Sequence, residues 1–187
     1  MNTSFYKPDE LGSIGLKKYG DNVLISRNAN FYSPEKISVG SNVRIDDFCI
    51  LSGRVDIGNY VHIASSVTLI GGEDGIVIED FAGISHKATV LAVSDDFSGG
   101  SMTGPMVPIK YRNVSHGTVL LKKHSLLGVG STVMPNVIVE YGTAIGAMSF
   151  VVRKTKPWSV YFGVPARKLS ERKRDLLKLE KQFMGME

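Results

Sequence analysis

The chain contains four histidines, and two of them stand where they could transfer a proton. Imidazole has the unperturbed side-chain pKa closest to neutral pH, so it can act as a general base or acid. His86 comes two positions after Ile84, an apolar residue expected to point inward, and should therefore face outward. His116 ends a long polar segment. We expect His62 and His124 to be ordinary surface residues.

Two adjacent aspartates, Asp95 and Asp96, lie near the start of that polar segment, which covers residues 91–118. A carboxylate there could contact a substrate, orient an imidazole or take a proton from an amine. Aspartates are equally common in exposed turns, where they hydrogen-bond to the local backbone. Both interpretations stay open on sequence grounds. Long irregular segments inside a compact domain are usually functional, so we expect an active-site loop here.

A metal centre is not expected from the distribution of ligand side chains. A catalytic zinc ion usually takes three protein ligands, and the histidines include no closely spaced pair. The single cysteine, Cys49, cannot form an internal disulfide and provides no thiolate set. A zinc enzyme resembling carbonic anhydrase would need three histidines gathered across a subunit boundary, and it stays a minor alternative.

The elements that must position these residues follow a six-residue repeat. An aliphatic residue recurs at every sixth position in two long runs, usually with a small or β-branched residue four positions later. A period of six is neither the 3.6 of an α-helix nor the alternation of an ordinary strand. It predicts three short strands with tight corners per coil, stacked as a parallel β-helix around a narrow core. The repeated residues are Val39, Ile45, Leu51, Ile57, Ile63 and Leu69, then Leu121, Leu127, Val133, Val139, Ile145 and Val151.

Glycines follow several of these inward residues, including Gly40, Gly58, Gly128 and Gly146. Glycine adopts backbone conformations that other residues disfavour. We expect these glycines to occupy corners that need such a conformation.

The repeat divides the chain into three parts and one insertion. Residues 1–22 carry scattered apolar side chains among polar ones and are predicted to cap the open end of the first coil. Residues 23–168 form the β-helix, interrupted by the inserted loop at 91–118. Residues 169–187 space leucines and a phenylalanine among charges, which predicts an amphipathic C-terminal α-helix.

Composition and charge narrow the functional classes. No stretch approaches the roughly 18 apolar residues of a membrane helix, so no membrane span is expected. The net charge is +4, and the segment from Arg153 to the C-terminus carries a balance of +6. That basic end suits a phosphate-bearing ligand or a solvated helix face. Nucleic-acid binding is disfavoured because no aromatic residues accompany the charge in a groove-like pattern.

Three segments resemble the hexapeptide-repeat acyltransferases: residues 121–137, Ile145-Gly-Ala-Met-Ser149, and the ending Gly163-Val-Pro-Ala-Arg167. Within that family the chain is similar to galactoside O-acetyltransferase-like sugar acetyltransferases, including those of surface-polysaccharide (O-antigen or capsule) biosynthesis. The resemblance covers about residues 20–170 and implies a left-handed β-helix in a homotrimer. The lone cysteine makes the cytoplasm the default compartment. The resemblance also implies acetyl-CoA as co-substrate, with a hydroxyl or amine of a sugar or nucleotide-sugar as acceptor.

The same resemblance implies where acetyl-CoA binds, in a cleft along the coil between neighbouring subunits. Gly128, Val129 and Ala147 match positions that border the pantetheine. Cations complement phosphate charge, and three basic residues match positions near the phosphates of the co-substrate. These residues are Arg153, Lys154 and Arg167. A solvated corner would explain the first two of them equally well.

The identity of the general base stays open. The position of the base in the galactoside enzymes falls here at Ser94-Asp95-Asp96, where there is no histidine. Amino-sugar acetyltransferases of the bacillosamine type carry their base at the offset of His86, followed by a glutamate, where this chain has Lys87. The base is therefore His86, oriented by one of the two aspartates, or His116, or no histidine at all. The last option suits an amine acceptor, since a neutral amine is already a nucleophile.

A non-catalytic structural or ligand-binding β-helix would keep the repeat and lack the chemistry. The Gly-Val-Pro-Ala-Arg ending and the basic C-terminal region favour the enzyme. Binding of acetyl-CoA to the chain distinguishes the two functions.

Overall fold

The computed structural model describes residues 4–185, in which twenty short strands and one α-helix follow each other along the chain. The strands are β1 (Lys18–Tyr19), β2 (Leu24–Ile25), β3 (Asn30–Tyr32), β4 (Ile37–Val39), β5 (Arg44–Ile45), β6 (Ile50–Ile57), β7 (His62–Ile63), β8 (Thr68–Ile78), β9 (Gly83–Ile84), β10 (Thr89–Leu91), β11 (Val93–Ser94), β12 (Ser115–His116), β13 (Val119–Leu121), β14 (Leu126–Leu127), β15 (Thr132–Val133), β16 (Ile138–Val139), β17 (Ala144–Ile145), β18 (Phe150–Val151), β19 (Ser159–Phe162) and β20 (Arg167–Glu171), and the helix is α1 (Leu176–Phe183).

Parallel pairing arranges most of these strands on the three faces of a prism, as the six-residue repeat predicts. The first face stacks β2, β5, β7, β9, β14, β17 and β19. The long strands β6 and β8 each begin on the second face and end on the third. The second face stacks β3, the start of β6, the start of β8, β10, β15 and β18. The third face stacks β1, β4, the end of β6, the end of β8, β13 and β16. The predicted β-helix is thereby confirmed.

The inward positions of the repeat form the core. On the first face, Ile45, Ile63, Ile84, Leu127 and Ile145 stack in register, and each is no more than 2% exposed. Burying each such side chain contributes about 1.5–3 kcal/mol of hydrophobic free energy. The residues four positions further along are also buried, as small side chains at the bends must be.

The glycines after the inward residues have a different role from the predicted one. Gly40, Gly58 and Gly128 do not adopt positive φ, whereas nearby non-glycine corner residues such as Tyr60 and Phe81 do. A Cβ on Gly128 would lie 2.6 Å from the backbone nitrogen of Ala147 in the next coil. Stacked strands are about 4.8 Å apart, so these positions need glycine for close backbone approach and not for conformational freedom.

Gly128→Ala is therefore expected to destabilise the chain by about 1–3 kcal/mol, because the new methyl group meets backbone atoms that cannot rotate away. Gly83→Ala is the matched control, since the nearest atom to its Cβ is the flexible Leu126 side chain at 3.1 Å. Urea unfolding of the two variants measures the difference. Equal midpoints for Gly128→Ala and Gly83→Ala would contradict this account.

An N-terminal segment covers the first coil. A short 3-10 helix at Pro8–Ile14 buries Leu11, and the backbone N–H of Tyr6 donates to the carbonyl of Ile25 at 2.9 Å. The first coil strand, Lys18–Tyr19, already pairs with β4, so the prism begins inside the segment 1–22 that we predicted as the cap.

The C-terminal segment forms a strand before it forms the helix. β20 runs antiparallel to β19 and covers the end of the first face. The helix is therefore shorter than the predicted 169–187, and the last two residues lie outside the described part of the chain. It packs on a corner of the prism where Tyr60 and Phe81 stack at 4.8 Å, with Phe183 edge-on to Tyr60 at 5.3 Å. No helix within residues 4–185 is long and apolar enough to cross a membrane.

Candidate active site

The corner between the first and second faces, here the first corner, carries His86. This residue lies between β9 and β10 with an exposed side chain. Its Nδ1 is 2.9 Å from the hydroxyl of Ser65, which occupies the same corner one coil earlier. Both residues come two positions after an inward isoleucine, Ile63 and Ile84, so stacking of the coils brings them together.

Three of the residues predicted to border acetyl-CoA continue the first corner beyond His86. Gly128 and Val129 lie one coil further, where the N–H of Gly130 donates to the carbonyl of His86 at 3.0 Å. Ala147 follows in the next coil, tied to it by the N–H of Met148 donating to the carbonyl of Val129. The structure thus brings together one histidine and these three positions along a single edge. Arg167 begins β20 just beyond the end of this edge and is exposed.

The other two predicted phosphate contacts lie elsewhere in the same chain. Arg153 and Lys154 follow β18, at the corner between the second and third faces, here the loop corner. Lys154 Nζ lies 2.9 Å from Glu140 Oε1 in an ion pair, whereas Arg153 is exposed. Within one chain they do not share the first corner with Gly128.

The inserted loop leaves the prism at the loop corner and encloses a cavity of about 560 Å³. Strands β11 and β12 pair antiparallel at the base of the loop, with Val93 opposite His116. This pairing brings together the start and end of the loop, and hence Asp95, Asp96 and His116. The cavity is lined by Ser94, Asp95, Asp96, Phe97, Ser115, His116, Met134, Pro135, Asn136 and Val152.

The two aspartates of the loop have different surroundings. Asp96 accepts hydrogen bonds from the N–H of Ser98 and the hydroxyl of Ser101, both at 2.8 Å. These bonds, above all those from Ser98, lower the pKa of Asp96 and keep it ionised as a turn residue. The Asp95 carboxylate is exposed and makes no hydrogen bond or ion pair with any residue from 4 to 185. Asp95 is therefore the carboxylate available to a ligand.

His116 has an acidic neighbour that sequence reasoning missed. Its Nδ1 lies 3.9 Å from Asp74 Oδ2, and the hydroxyl of Thr118 donates to the Asp74 carbonyl at 3.0 Å. Asp74 belongs to the stretch of β8 where the repeat gains three residues. The imidazole of His116 is 60% exposed and faces the same cavity as Asp95.

The remaining two histidines each pair with a carboxylate, and His62 is exposed, as we expected. His62 Nε2 lies 2.8 Å from Asp46 Oδ2 on the first face. His124 is not the surface residue that we expected, because its side chain is only 10% exposed and its Nε2 lies 2.7 Å from Glu180 Oε2 on α1. No group of three or more His, Cys, Asp or Glu side chains within residues 4–185 could hold a metal ion.

Comparison with known proteins gives several similar chains, although no protein-family profile matches. The chain is 43% identical over 177 residues to dTDP-4-amino-4,6-dideoxy-D-glucose acyltransferase from Escherichia coli, covering 93% of this chain and 92% of the relative. It is 28% identical to WbbJ of Escherichia coli strain K12, described as an O-acetyl transferase of lipopolysaccharide biosynthesis, over 71% of this chain and 67% of the relative.

Solved structures of AntD, an N-acyltransferase from Bacillus cereus, superpose along the whole chain. A complex of a variant with dTDP and coenzyme A has a TM-score of 0.97 and 50% identity, covering 99% of this chain and 100% of AntD. Other AntD complexes contain dTDP-4-amino-4,6-dideoxyglucose with coenzyme A, or dTDP with 3-hydroxybutyryl-CoA.

Proposed function

The chain belongs to the sugar acyltransferases built on a hexapeptide-repeat β-helix, and we propose that it transfers an acyl group from coenzyme A to the amino group of a nucleotide-linked sugar. The observation that carries this choice is the unpaired carboxylate of Asp95, which faces the cavity at the loop corner. The similar E. coli enzyme acts on a dTDP-linked amino sugar, and AntD is an N-acyltransferase.

An amine acceptor fits a site whose available proton acceptor is a carboxylate. The lone pair of the neutral amine attacks the thioester carbonyl carbon, and a C–N bond forms. The tetrahedral intermediate collapses as the C–S bond breaks, so coenzyme A leaves as a thiol once it has gained a proton. Asp95 accepts the proton that the nitrogen loses. A hydroxyl acceptor would need a stronger base during attack.

Substitutions in AntD support the choice of Asp95. AntD has been crystallised with an aspartate replaced, and with a serine ten positions earlier replaced. In this chain Ser85 and Asp95 are the only serine and aspartate with that spacing and order. Ser85 directly precedes His86 on the first corner, where its hydroxyl could donate to the oxyanion of the intermediate.

A second copy of the chain would complete this site. Ser85 lies on the first corner, whereas Asp95 projects from the loop corner, so within one chain they occupy different edges of the prism. We therefore retain the homotrimer with active sites between subunits. In that assembly Gly128, Val129 and Ala147 would border the pantetheine. The cations near its phosphates would be Arg153, Lys154 and Arg167.

Acetyl-CoA is the first donor to test, and a longer acyl group is the alternative because AntD also binds 3-hydroxybutyryl-CoA. The proposed product is an N-acylated nucleotide-sugar for surface-polysaccharide assembly. Such a reaction uses intracellular acyl-CoA, which supports a cytoplasmic location.

O-acylation is the second candidate function, favoured by the contact between His116 and Asp74. An imidazole oriented by a carboxylate is a common general-base arrangement, so this pair is the candidate to deprotonate a hydroxyl. A thiol-release assay with acyl-CoA distinguishes the candidates by comparing a dTDP-linked 4-amino sugar with the matching 4-hydroxy sugar. We expect release only with the amine. Thiol release with the 4-hydroxy sugar alone would establish O-acylation. Thiol release with neither sugar would contradict both candidate functions and leave only the assignment to the family.

His86→Ala is expected to reduce kcat less than about tenfold, whereas loss of a general base costs about 10²- to 10⁴-fold. Within residues 4–185 the imidazole contacts the Ser65 hydroxyl at 2.9 Å, and the proposed proton acceptor is Asp95 and not His86. Steady-state kinetics with saturating acyl-CoA measures the effect. The matched control is Ser65→Ala, which removes the partner of His86 and leaves the ring. A loss of 10²-fold or more in His86→Ala would restore His86 as the base.

A further inference from the structure

The outer part of the inserted loop carries positive charge without compensating acids. Residues 97–118 contain Lys110 and Arg112 but no aspartate or glutamate. Neither cation has a carboxylate within 4 Å in the described part of the chain. Both are thus available to an external anion.

The backbone of the loop holds these two cations at one cavity. The segment Ile109–Tyr111 forms a 3-10 turn, closed by the N–H of Arg112 donating to the carbonyl of Ile109 at 3.0 Å. Met102 N–H donates to the carbonyl of Tyr111 at 2.9 Å and ties the turn to the other limb of the loop. The cavity between the limbs measures about 530 Å³ and is lined by Gly99, Gly100, Ser101, Met102, Lys110, Tyr111 and Arg112.

Arg112 also carries an unsatisfied donor. Its Nε is shielded from solvent and hydrogen-bonds to no atom of residues 4–185. A shielded polar group without a partner costs about 1–3 kcal/mol, and more when it is charged, so an ordered water or a bound anion is expected to satisfy it. A phosphate oxygen is the acceptor that best matches a guanidinium, because the planar fork can bond two oxygens at once.

A hydrogen bond links one lining residue of the cation cavity to one lining residue of the Asp95 cavity. One carboxylate oxygen of Asp96 holds the hydroxyl of Ser101, which lines the cation cavity. Asp96 itself lines the cavity that Asp95 faces. One end of the loop therefore presents a carboxylate suited to an amine, and the other end presents two cations suited to phosphates.

We propose that Lys110 and Arg112 bind the diphosphate of the nucleotide-linked acceptor and so fix its amine beside Asp95. The inference rests on the proposed function. Coenzyme A also contains a diphosphate and is the second possible source of this anion. The acceptor is favoured because both cations belong to the same loop as Asp95, the proposed proton acceptor for its amine.

Isothermal titration calorimetry with dTDP alone, and separately with coenzyme A alone, tests the assignment on the full-length protein. Arg112→Ala is expected to weaken dTDP binding about tenfold or more, as for loss of a charge-assisted hydrogen-bond pair. Lys110→Ala should weaken it less, because lysine acts as a single point charge. Coenzyme A affinity should not change. Lys17→Ala, which removes an exposed cation at the N-terminal cap, is the matched control and should change neither affinity.

Further outcomes of the same measurements decide between the alternatives. Arg112→Lys should recover part of the dTDP affinity. The melting temperature of Arg112→Ala should not fall below that of the wild type, which excludes a collapsed loop as the cause. Unchanged dTDP affinity in Arg112→Ala and Lys110→Ala would overturn the assignment and leave the proposed function standing. Loss of coenzyme A affinity with retained dTDP affinity would overturn it in favour of the donor. A wild-type protein that does not bind dTDP would instead refute the proposed acceptor class.

Discussion

Replacing Asp95 with asparagine is expected to lower kcat for amide formation by about 10²- to 10⁴-fold, the usual cost of losing a group that accepts the transferred proton. Asparagine keeps the size and the hydrogen-bonding reach of the side chain but cannot take the proton from the attacking nitrogen. Because Asp95 makes no hydrogen bond or ion pair within residues 4–185, its replacement should leave the loop and the melting temperature unchanged. Stopped-flow single-turnover kinetics with acyl-CoA and a dTDP-linked amino sugar isolates the chemical step.

The neighbouring residue supplies the matched control for this prediction. Asp96→Asn removes the same charge one position away, yet its carbonyl oxygen can still accept the N–H of Ser98. We expect kcat to fall less than about tenfold, with the larger change in the KM of the acceptor, because Asp96 shapes the loop and does not accept the proton. Equal losses of kcat in the two variants would show that the loop geometry, and not the Asp95 carboxylate, limits the rate.

Leu127→Ala is expected to reduce the free energy of unfolding by about 2–5 kcal/mol, which combines lost hydrophobic transfer with a cavity in the core. Leu127 is completely buried in β14, between Ile84 in the coil before and Ile145 in the coil after. The prism is narrow and its coils are held at fixed spacing by the backbone ladder, so the walls cannot close over the missing atoms. Urea unfolding followed by circular dichroism measures the loss.

The control for Leu127 is Leu24→Ala, the same change at an outward position of the first face. Leu24 is 41% exposed, and its loss should cost under about 1 kcal/mol. A destabilisation of Leu127→Ala no greater than that of Leu24→Ala would contradict the inward assignment of the six-residue repeat. Each protein must be compared at one concentration, because association between copies would raise its apparent stability.

The prism could be predicted from the sequence because each coil imposes the same local requirement. An inward residue such as Ile63 is buried only if the chain turns a corner every six residues, so the spacing itself specifies the architecture. The end of the chain was harder to predict. Leu169 fits the apolar face of a helix, yet it lies in β20, whose residues on either side of it pair with β19.

Sequence reasoning identified parts of the site but not how they are arranged. Asp95, Asp96 and His116 were individually visible as polar residues at the ends of a loop. These residues lie close together because β11 pairs antiparallel with β12, and the six-residue repeat does not predict that pairing. The contacts of His116 with Asp74 and of His86 with Ser65 connect different coils, and stacking between coils determines which residues become neighbours.

The inserted loop is attached to the prism as a closed stem. The N–H of Gly117 donates to the carbonyl of Ala92 at 3.0 Å, so the coil continues across the insertion almost as if the loop were absent. In a solenoid each coil touches only its neighbours, and a change confined to one insertion need not disturb the stack. The loop can therefore vary in sequence without changing the hydrogen bonds that hold the coils together. Under the proposed function, replacing the residues between Ala92 and Gly117 would change the contacts with the acceptor, while the first corner and the core stay as they are.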